Sequence, residues 1–176
     1  AGVELYAFNG AFRGSAVEAR QARDLIEQAK TRGVLDHDAE VSEETLVRSG
    51  VSAPEAKRFN DAYFQNQQQG GRLSDEQLLA GFGNNGGEEF LSYLMTSETL
   101  LIAGAEKFHE WQDKMQGRLA KIQNADGSWS GHHCITSPVF CTAAVVQCLA
   151  ADQDAEFLIA MARRAGGEAE QVAAAP

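Results

Sequence analysis

Leu119-Ala120-Lys121-Ile122-Gln123-Asn124-Ala125-Asp126-Gly127-Ser128-Trp129 joins the end of a helix-forming segment to a glycine turn and an aromatic side chain. The Gln123 amide can bond carbonyl groups that a helix leaves unpaired at its C-terminus, and Gly127 supplies the turn. Trp129 follows two residues later and can cover the helix end with its ring. We therefore predict that Gln123, Gly127 and Trp129 are structural and not catalytic residues.

Two helices are predicted before this turn. Residues 88–103 place Leu91, Met95 and Ile102 on one stripe, and residues 106–122 do the same with Phe108, Trp111, Met115 and Ile122. Apolar residues at this spacing form the side of a helix that faces a core. We expect both stripes to be buried.

Two further helices are predicted after the turn. Ser137 is a candidate N-cap, and Pro138 stands at the first helical position, where its missing N–H has no cost. A helix is expected from there to about residue 151, and a short one over 154–164. Residues 166–176 are small and polar, and we expect a disordered tail.

The N-terminal half divides into two parts. Residues 1–33 are predicted to be a pair of helices separated near Gly10 and Gly14, which weaken a helix interior. Residues 34–87 are more polar and form a predicted insertion with short helices, in which Ser42 and Ser52 are N-caps. Because no alternating strand pattern competes with helical periodicity, the sequence predicts an all-α protein.

Residues 114–129 resemble the QW repeat of squalene cyclases, Gln-x-x-x-Gly-x-Trp, and Lys114 also matches its upstream pattern. Met115 and Arg118 depart from it, since the family prefers a small residue and an aromatic residue at those positions. The resemblance to this terpene cyclase and prenyltransferase family extends over residues 88–152. It implies an incomplete α/α-toroid, in which inner and outer helices alternate around a central cavity.

The resemblance also implies partners and a ligand class. A toroid of this family has about six helix pairs, more than this sequence holds, so the remaining helices are expected from an N-terminal part of the same protein or from another chain. An apolar, isoprenoid-type ligand is the implied occupant of the cavity. The alternative is a noncatalytic toroid that serves as a scaffold or protein-interaction module.

The enzymatic step stays open, because the Asp-rich acid motif of protonating cyclases and the diphosphate-binding residues of prenyltransferases are not found in this sequence. Asp152-Gln153-Asp154 is the nearest acidic cluster, and we interpret it as a helix cap. Glu98 falls on the predicted stripe of residues 88–103. A buried carboxyl holds its proton more tightly and could serve as a general acid, so Glu98 is a candidate catalytic residue.

His132, His133 and Cys134 form the second candidate site. Imidazole and thiolate are preferred zinc ligands, Cys141 follows seven residues after Cys134, and a helix N-terminus nearby attracts anions. However, Cys141 and Cys148 share the apolar face of the helix that begins at Pro138 and should point into the core. We therefore expect no bound metal and no cofactor, with the histidines partly exposed near a pocket as candidates for catalysis or ligand binding.

Composition limits the remaining partner classes. Fifteen Lys and Arg residues against 25 Asp and Glu give a net charge of −10, and the basic residues are scattered along the chain. Nucleic acids and anionic membranes are therefore poor partners. No apolar run reaches the roughly 20 residues that a transmembrane helix needs. The sequence predicts no particular compartment.

Overall fold

In the computed structural model, the regular elements of the described residues are helices. The structure describes residues 2–75, 78, 86–104 and 107–173, with side chains described for those between 7 and 165. The helices are α1 (Gly2–Thr31), α2 (Glu43–Ser49), α3 (Ala53–Gly71), α4 (Glu88–Ala103), α5 (Phe108–Lys121), α6 (Pro138–Leu149) and α7 (Ala155–Ala173), with 3-10 turns at Arg72–Ser74 and Ala151–Asp154. Within the described ranges there is no strand and no helix long and apolar enough to cross a membrane. The all-α prediction is confirmed.

The predicted N-terminal pair is wrong, because α1 is one continuous helix of 30 residues. Gly10 and Gly14 both lie on its exposed side, where no atom approaches the position of a Cβ. Each glycine costs the helix about 1 kcal/mol relative to alanine. The buried side, which includes Phe12, Ala16 and Ile26, packs without interruption and outweighs this local cost.

Residues 34–71 pack on α1 through a shared core. Leu46 of α2 and Phe59 of α3 are fully buried with Ile26 of α1. The caps at Ser42 and Ser52 are confirmed: each forms a capping box, with Thr45 and Glu55 respectively. Helix α3 is longer than the short helices predicted for this part of the chain, since its last seven residues continue through the glutamine-rich stretch 65–71.

Helix α4 has the predicted bounds, but Ile102 is the one residue of the predicted stripe that is buried. Tyr93 and Leu100 are fully buried, whereas Leu91 is 37% exposed. Helices α1, α5, α6 and α7 all contact α4. A helix that is covered on several sides has no single apolar stripe, which is why a one-sided pattern gave the wrong face.

The predicted disordered tail is also wrong over most of its length, since α7 continues to Ala173. The residues after Gly167 are mainly alanine, glutamate and glutamine, which are among the best helix formers. Residues 174–176 lie outside the described residues. Helix α7 packs on α1 and α4, and Arg163 donates a hydrogen bond of 2.9 Å to Asp24 of α1.

The turn between α5 and α6 is held by Trp129, which is 7% exposed. Its indole N–H donates to the Leu119 carbonyl at 2.9 Å, and its backbone N–H donates to the Thr142 hydroxyl at 3.1 Å. Trp129 therefore bonds the C-terminal end of α5 and the second turn of α6 at once.

Gln123 has a different partner from the one expected. Its side-chain amide donates to the Gly127 carbonyl at 2.8 Å, within the turn, and not to a freed carbonyl of α5. Gly127 has a φ of 83°, a left-handed conformation that favours glycine. The helix end is thus bonded by the indole, while the glutamine closes the turn.

We predict that Trp129→Ala destabilises the protein by about 2 to 4 kcal/mol, because it removes a buried indole and leaves the Leu119 carbonyl without this donor. Urea unfolding followed by circular dichroism measures the change. Ile122→Ala is the control, since Ile122 lies close by and is 47% exposed. An unchanged unfolding midpoint in the Trp129 variant would contradict a structural role.

Candidate functional site

The loop between the turn and α6 carries the predicted histidine and cysteine cluster. His132, His133 and Cys134 are all exposed, and the His133 Nδ1 lies 3.2 Å from the Cys134 Sγ. Cys134 has a φ of 59°, in the left-handed region that a non-glycine residue seldom adopts. The expected exposure of the two histidines is confirmed.

This loop packs tightly against the start of α4. The backbone N–H of Gly87 donates to the Ile135 carbonyl at 2.9 Å, which gives a partner to an amide just before the helix. A Cβ on Gly131 would lie 1.9 Å from that same carbonyl oxygen. The close backbone contact therefore requires glycine, and it brings the His132–Cys134 segment to the N-terminal end of α4.

Cys141 and Cys148 do not join His133 and Cys134 in a metal-binding cluster. Cys141 and Cys148 are fully buried, as the sequence predicts, and all three thiols are free. Burial raises the pKa of both core thiols, which disfavours the thiolate that binds zinc. Among the described residues, no three His, Cys, Asp or Glu side chains are arranged to hold a metal ion.

Glu98, the predicted buried acid, is not buried. A quarter of its side chain is exposed, and it accepts a hydrogen bond of 3.4 Å from the Arg13 guanidinium of α1. The prediction rested on the wrong stripe of α4. Glu98 is partly exposed and paired with a guanidinium, so it lacks the burial on which the predicted role of a proton donor depends.

Glu89 is the buried acid that the sequence analysis missed. It is 5% exposed, and the Tyr93 hydroxyl, one helical turn later, donates a hydrogen bond to it. Burial raises the pKa of Glu89, with Tyr93, Arg118 and His132 partly opposing the shift. Burial and the neighbouring Glu89 likewise raise the pKa of Tyr93.

One signal in the sequence could have identified Glu89. Helix α4 carries four small hydroxyl residues, Ser92, Thr96, Ser97 and Thr99. Residues of this type bond the backbone of their own helix and so tolerate burial on several sides. In a helix that is buried on several sides, a charged residue such as Glu89 is a candidate for burial even when it lies off the apolar stripe.

A surface cavity of about 300 Å³ lies where α4, α6, the 3-10 turn Ala151–Asp154 and α7 meet. We call it the Glu98 cavity. Its lining residues are Leu94, Glu98, Gln147, Ala151, Asp154, Phe157 and Leu158. Glu98 is a predicted catalytic candidate, and Asp154 belongs to the acidic cluster that the sequence predicts to be a helix cap. The histidines do not line the cavity.

Two other cavities, both beside α3, contain basic residues. One of about 290 Å³ lies between the end of α3 and α5 and is lined in part by Lys107, Glu110 and Lys114. A second, of about 530 Å³, lies between α1 and α3 and is lined in part by Arg23 and Glu40. No predicted site residue lines either cavity, and both mix acidic and basic groups.

Comparison of the chain with protein-family models, with curated proteins and with solved structures finds no match.

We predict that Glu89→Gln stabilises the protein at neutral pH. The pKa of Glu89 is raised in the folded state, so the folded protein holds this proton longer than the unfolded chain does. Its contribution to stability is present below the usual glutamate pKa of 4.5 and is lost as the pH rises through the raised value. Glutamine keeps the acceptor for Tyr93 without the charge.

The measurement is the difference in unfolding free energy between variant and wild type at several pH values. We expect a difference near zero at about pH 4 that grows in favour of Glu89→Gln towards pH 8. Glu88→Gln, one position earlier and half-buried, is the control. A Glu89 variant that is less stable at pH 8 than at pH 4, relative to wild type, would contradict the assignment.

Proposed function

We propose that this chain is the C-terminal portion of a toroid of the squalene cyclase and prenyltransferase type and that it binds an apolar, isoprenoid-type ligand in the Glu98 cavity. The observation that carries the proposal is the character of α6 beside that cavity. Its twelve residues include no charged side chain, and Val139, Val146 and Phe140 are exposed at 81%, 54% and 38%.

The distribution of apolar residues around α6 supports an inner helix. Cys141, Val145 and Cys148 are buried on one side, and Val139, Ala143 and Val146 follow one another at helical spacing on the exposed side. A helix that is apolar all round is normally covered all round. In the proposed toroid, further helices and the ligand cover this second side.

The link between α5 and α6 supports the same arrangement. In the resembling family, the QW turn joins an outer helix to the inner helix that follows it. Here Trp129 bonds Leu119 of α5 and Thr142 of α6, so the turn fixes one helix relative to the next. The toroid arrangement is part of the proposal.

The lining of the Glu98 cavity supports an apolar ligand. Leu94, Leu158 and Phe157 supply apolar surface, and Phe157 is 66% exposed. A cavity of about 300 Å³ has the size of a small ligand site. Burying one such ring against a ligand is worth about 1 to 2 kcal/mol.

We expect the full chain to bind farnesol, a neutral isoprenoid alcohol, and Phe157→Ser to weaken that binding about fivefold to tenfold, because it removes apolar contact. Isothermal titration calorimetry measures both affinities. Phe64→Ser is the matched control, since Phe64 is also an exposed phenylalanine and does not line this cavity. Equal losses in the two variants, or no binding to the wild type, would contradict the proposed site.

A noncatalytic scaffold is the second candidate function, and the ion pair of Glu98 favours it. A protonating cyclase needs an acid that can donate a proton, whereas Glu98 accepts a hydrogen bond from Arg13. In a scaffold, the exposed side of α6 contacts protein and needs no reactive group. Helices of the same polypeptide or of another chain would fit this surface equally well.

We predict that the isolated chain self-associates through the exposed side of α6, because that side is apolar and uncovered. Sedimentation velocity over a range of concentrations measures the association. Val146→Glu should weaken it without lowering the unfolding midpoint, whereas Phe64→Glu on α3 should leave it unchanged. If the wild-type chain stays monomeric at every concentration, the result would contradict both the toroid and the scaffold, since each requires the exposed side of α6 to bind protein.

A further inference from the structure

The charged groups that line the Glu98 cavity have one sign. Glu98 contributes a carboxylate from α4, and Asp154 contributes another from the 3-10 turn. Among the lining residues there is no Lys, Arg or His. The other two cavities named above, by contrast, each include basic side chains. The Glu98 cavity is therefore the one among these three whose charge favours a cation.

Compensation of this charge is partial. Arg13 bonds Glu98 at 3.4 Å but is itself 52% exposed, and surface ion pairs of this kind are weak. Asp154 is exposed, and the structure gives it no ion-pair partner among the described residues. The chain as a whole has a net charge of −10, which adds to the attraction for cations.

The apolar wall of the cavity adds a second preference. Leu94 and Leu158 suit a hydrocarbon chain, and the exposed ring of Phe157 suits either a hydrocarbon or a cation over its face. A ligand that satisfies both parts of the lining has an apolar chain and a positively charged end. A diphosphate end would face two carboxylates, and the lining of the cavity offers it no basic side chain.

We propose that the Glu98 cavity selects amphiphiles with a cationic, amine-type head and discriminates against those with a phosphate head. This inference rests on the proposed function, since it names the ligand class of the same cavity. The Glu98 cavity would then disfavour prenyl diphosphates, although it would accept an isoprenoid tail. Glu98 and Asp154 bind the head, and Phe157 and Leu94 contact the tail.

The test uses three ligands with one tail: farnesylamine, farnesol and farnesyl diphosphate. Each is titrated into the full chain at low ionic strength and below the concentration at which it aggregates. We expect farnesylamine to bind about threefold to tenfold more tightly than farnesol, and farnesyl diphosphate to bind most weakly. The advantage of the amine should fall in high salt, which screens surface charges.

Variants locate the preference. Asp154→Asn and Glu98→Gln should each reduce the amine-to-alcohol affinity ratio about twofold to fivefold, and Arg13→Gln should increase it, because Arg13 competes for Glu98. Asp152→Asn is the matched control, since Asp152 lies in the same acidic cluster but does not line the cavity. Circular dichroism checks that each variant is folded.

Different outcomes would contradict the cationic preference and the proposed apolar binding site. Farnesol or farnesyl diphosphate binding as tightly as farnesylamine would overturn the cationic preference and leave the apolar site intact. Equal effects of Asp152→Asn and Asp154→Asn would assign the preference to net charge, which also overturns it. If none of the three ligands binds more tightly than about 1 mM, the proposed function itself is wrong.

Discussion

Helix α4 is packed by α1, α5, α6 and α7, and the burial that results governs the chemistry of the whole C-terminal half. A polar side chain surrounded in this way must find its partner within the protein. Ser92, Thr96, Ser97 and Thr99 each donate to the carbonyl four residues earlier in α4. Ser97 also accepts a hydrogen bond of 2.9 Å from the Trp111 indole, which ties α5 to α4. The hydroxyl residues thus allow burial on sides that an apolar stripe does not reach.

Two glutamates of α4, Glu89 and Glu98, differ in how deeply they are buried and in the groups that contact them. Glu89 lies in the first turn, where the helix dipole favours a carboxylate, yet desolvation dominates and raises its pKa. Glu98 lies where α4 reaches the surface, and Arg13 pairs with it there. Near the N-terminal end of α4, burial raises the pKa of Glu89. In the C-terminal half of the helix, Glu98 is partly exposed at the surface. Of these two glutamates, only Glu98 lines the Glu98 cavity, where Asp154 of the 3-10 turn supplies a second carboxylate.

The sequence predicts features that depend on a few neighbouring residues and fails where packing decides. Ser42, Ser52 and Ser137 cap helices as expected, because a cap needs only a side-chain oxygen and the next turn. The bounds of α4 follow for the same local reason. The break expected near Gly14 does not occur, since contacts of α1 with α3 and α4 outweigh a local cost of about 1 kcal/mol. The buried acid and the cavity depend on how four helices meet, and periodicity within one segment contains no information on that.

The uncovered side of α6 and the Glu98 cavity lie next to each other. Gln147 lines the cavity, and Val146, its neighbour in α6, is exposed on the side that further helices are proposed to cover. A helix laid against Val146 would also narrow the approach to the cavity. Enclosure lowers the effective dielectric around Glu98 and Asp154, which strengthens their attraction for a cation but raises the cost of leaving them unpaired. Covering protein and a cationic ligand would therefore favour each other's binding, because each removes a cost that the other imposes.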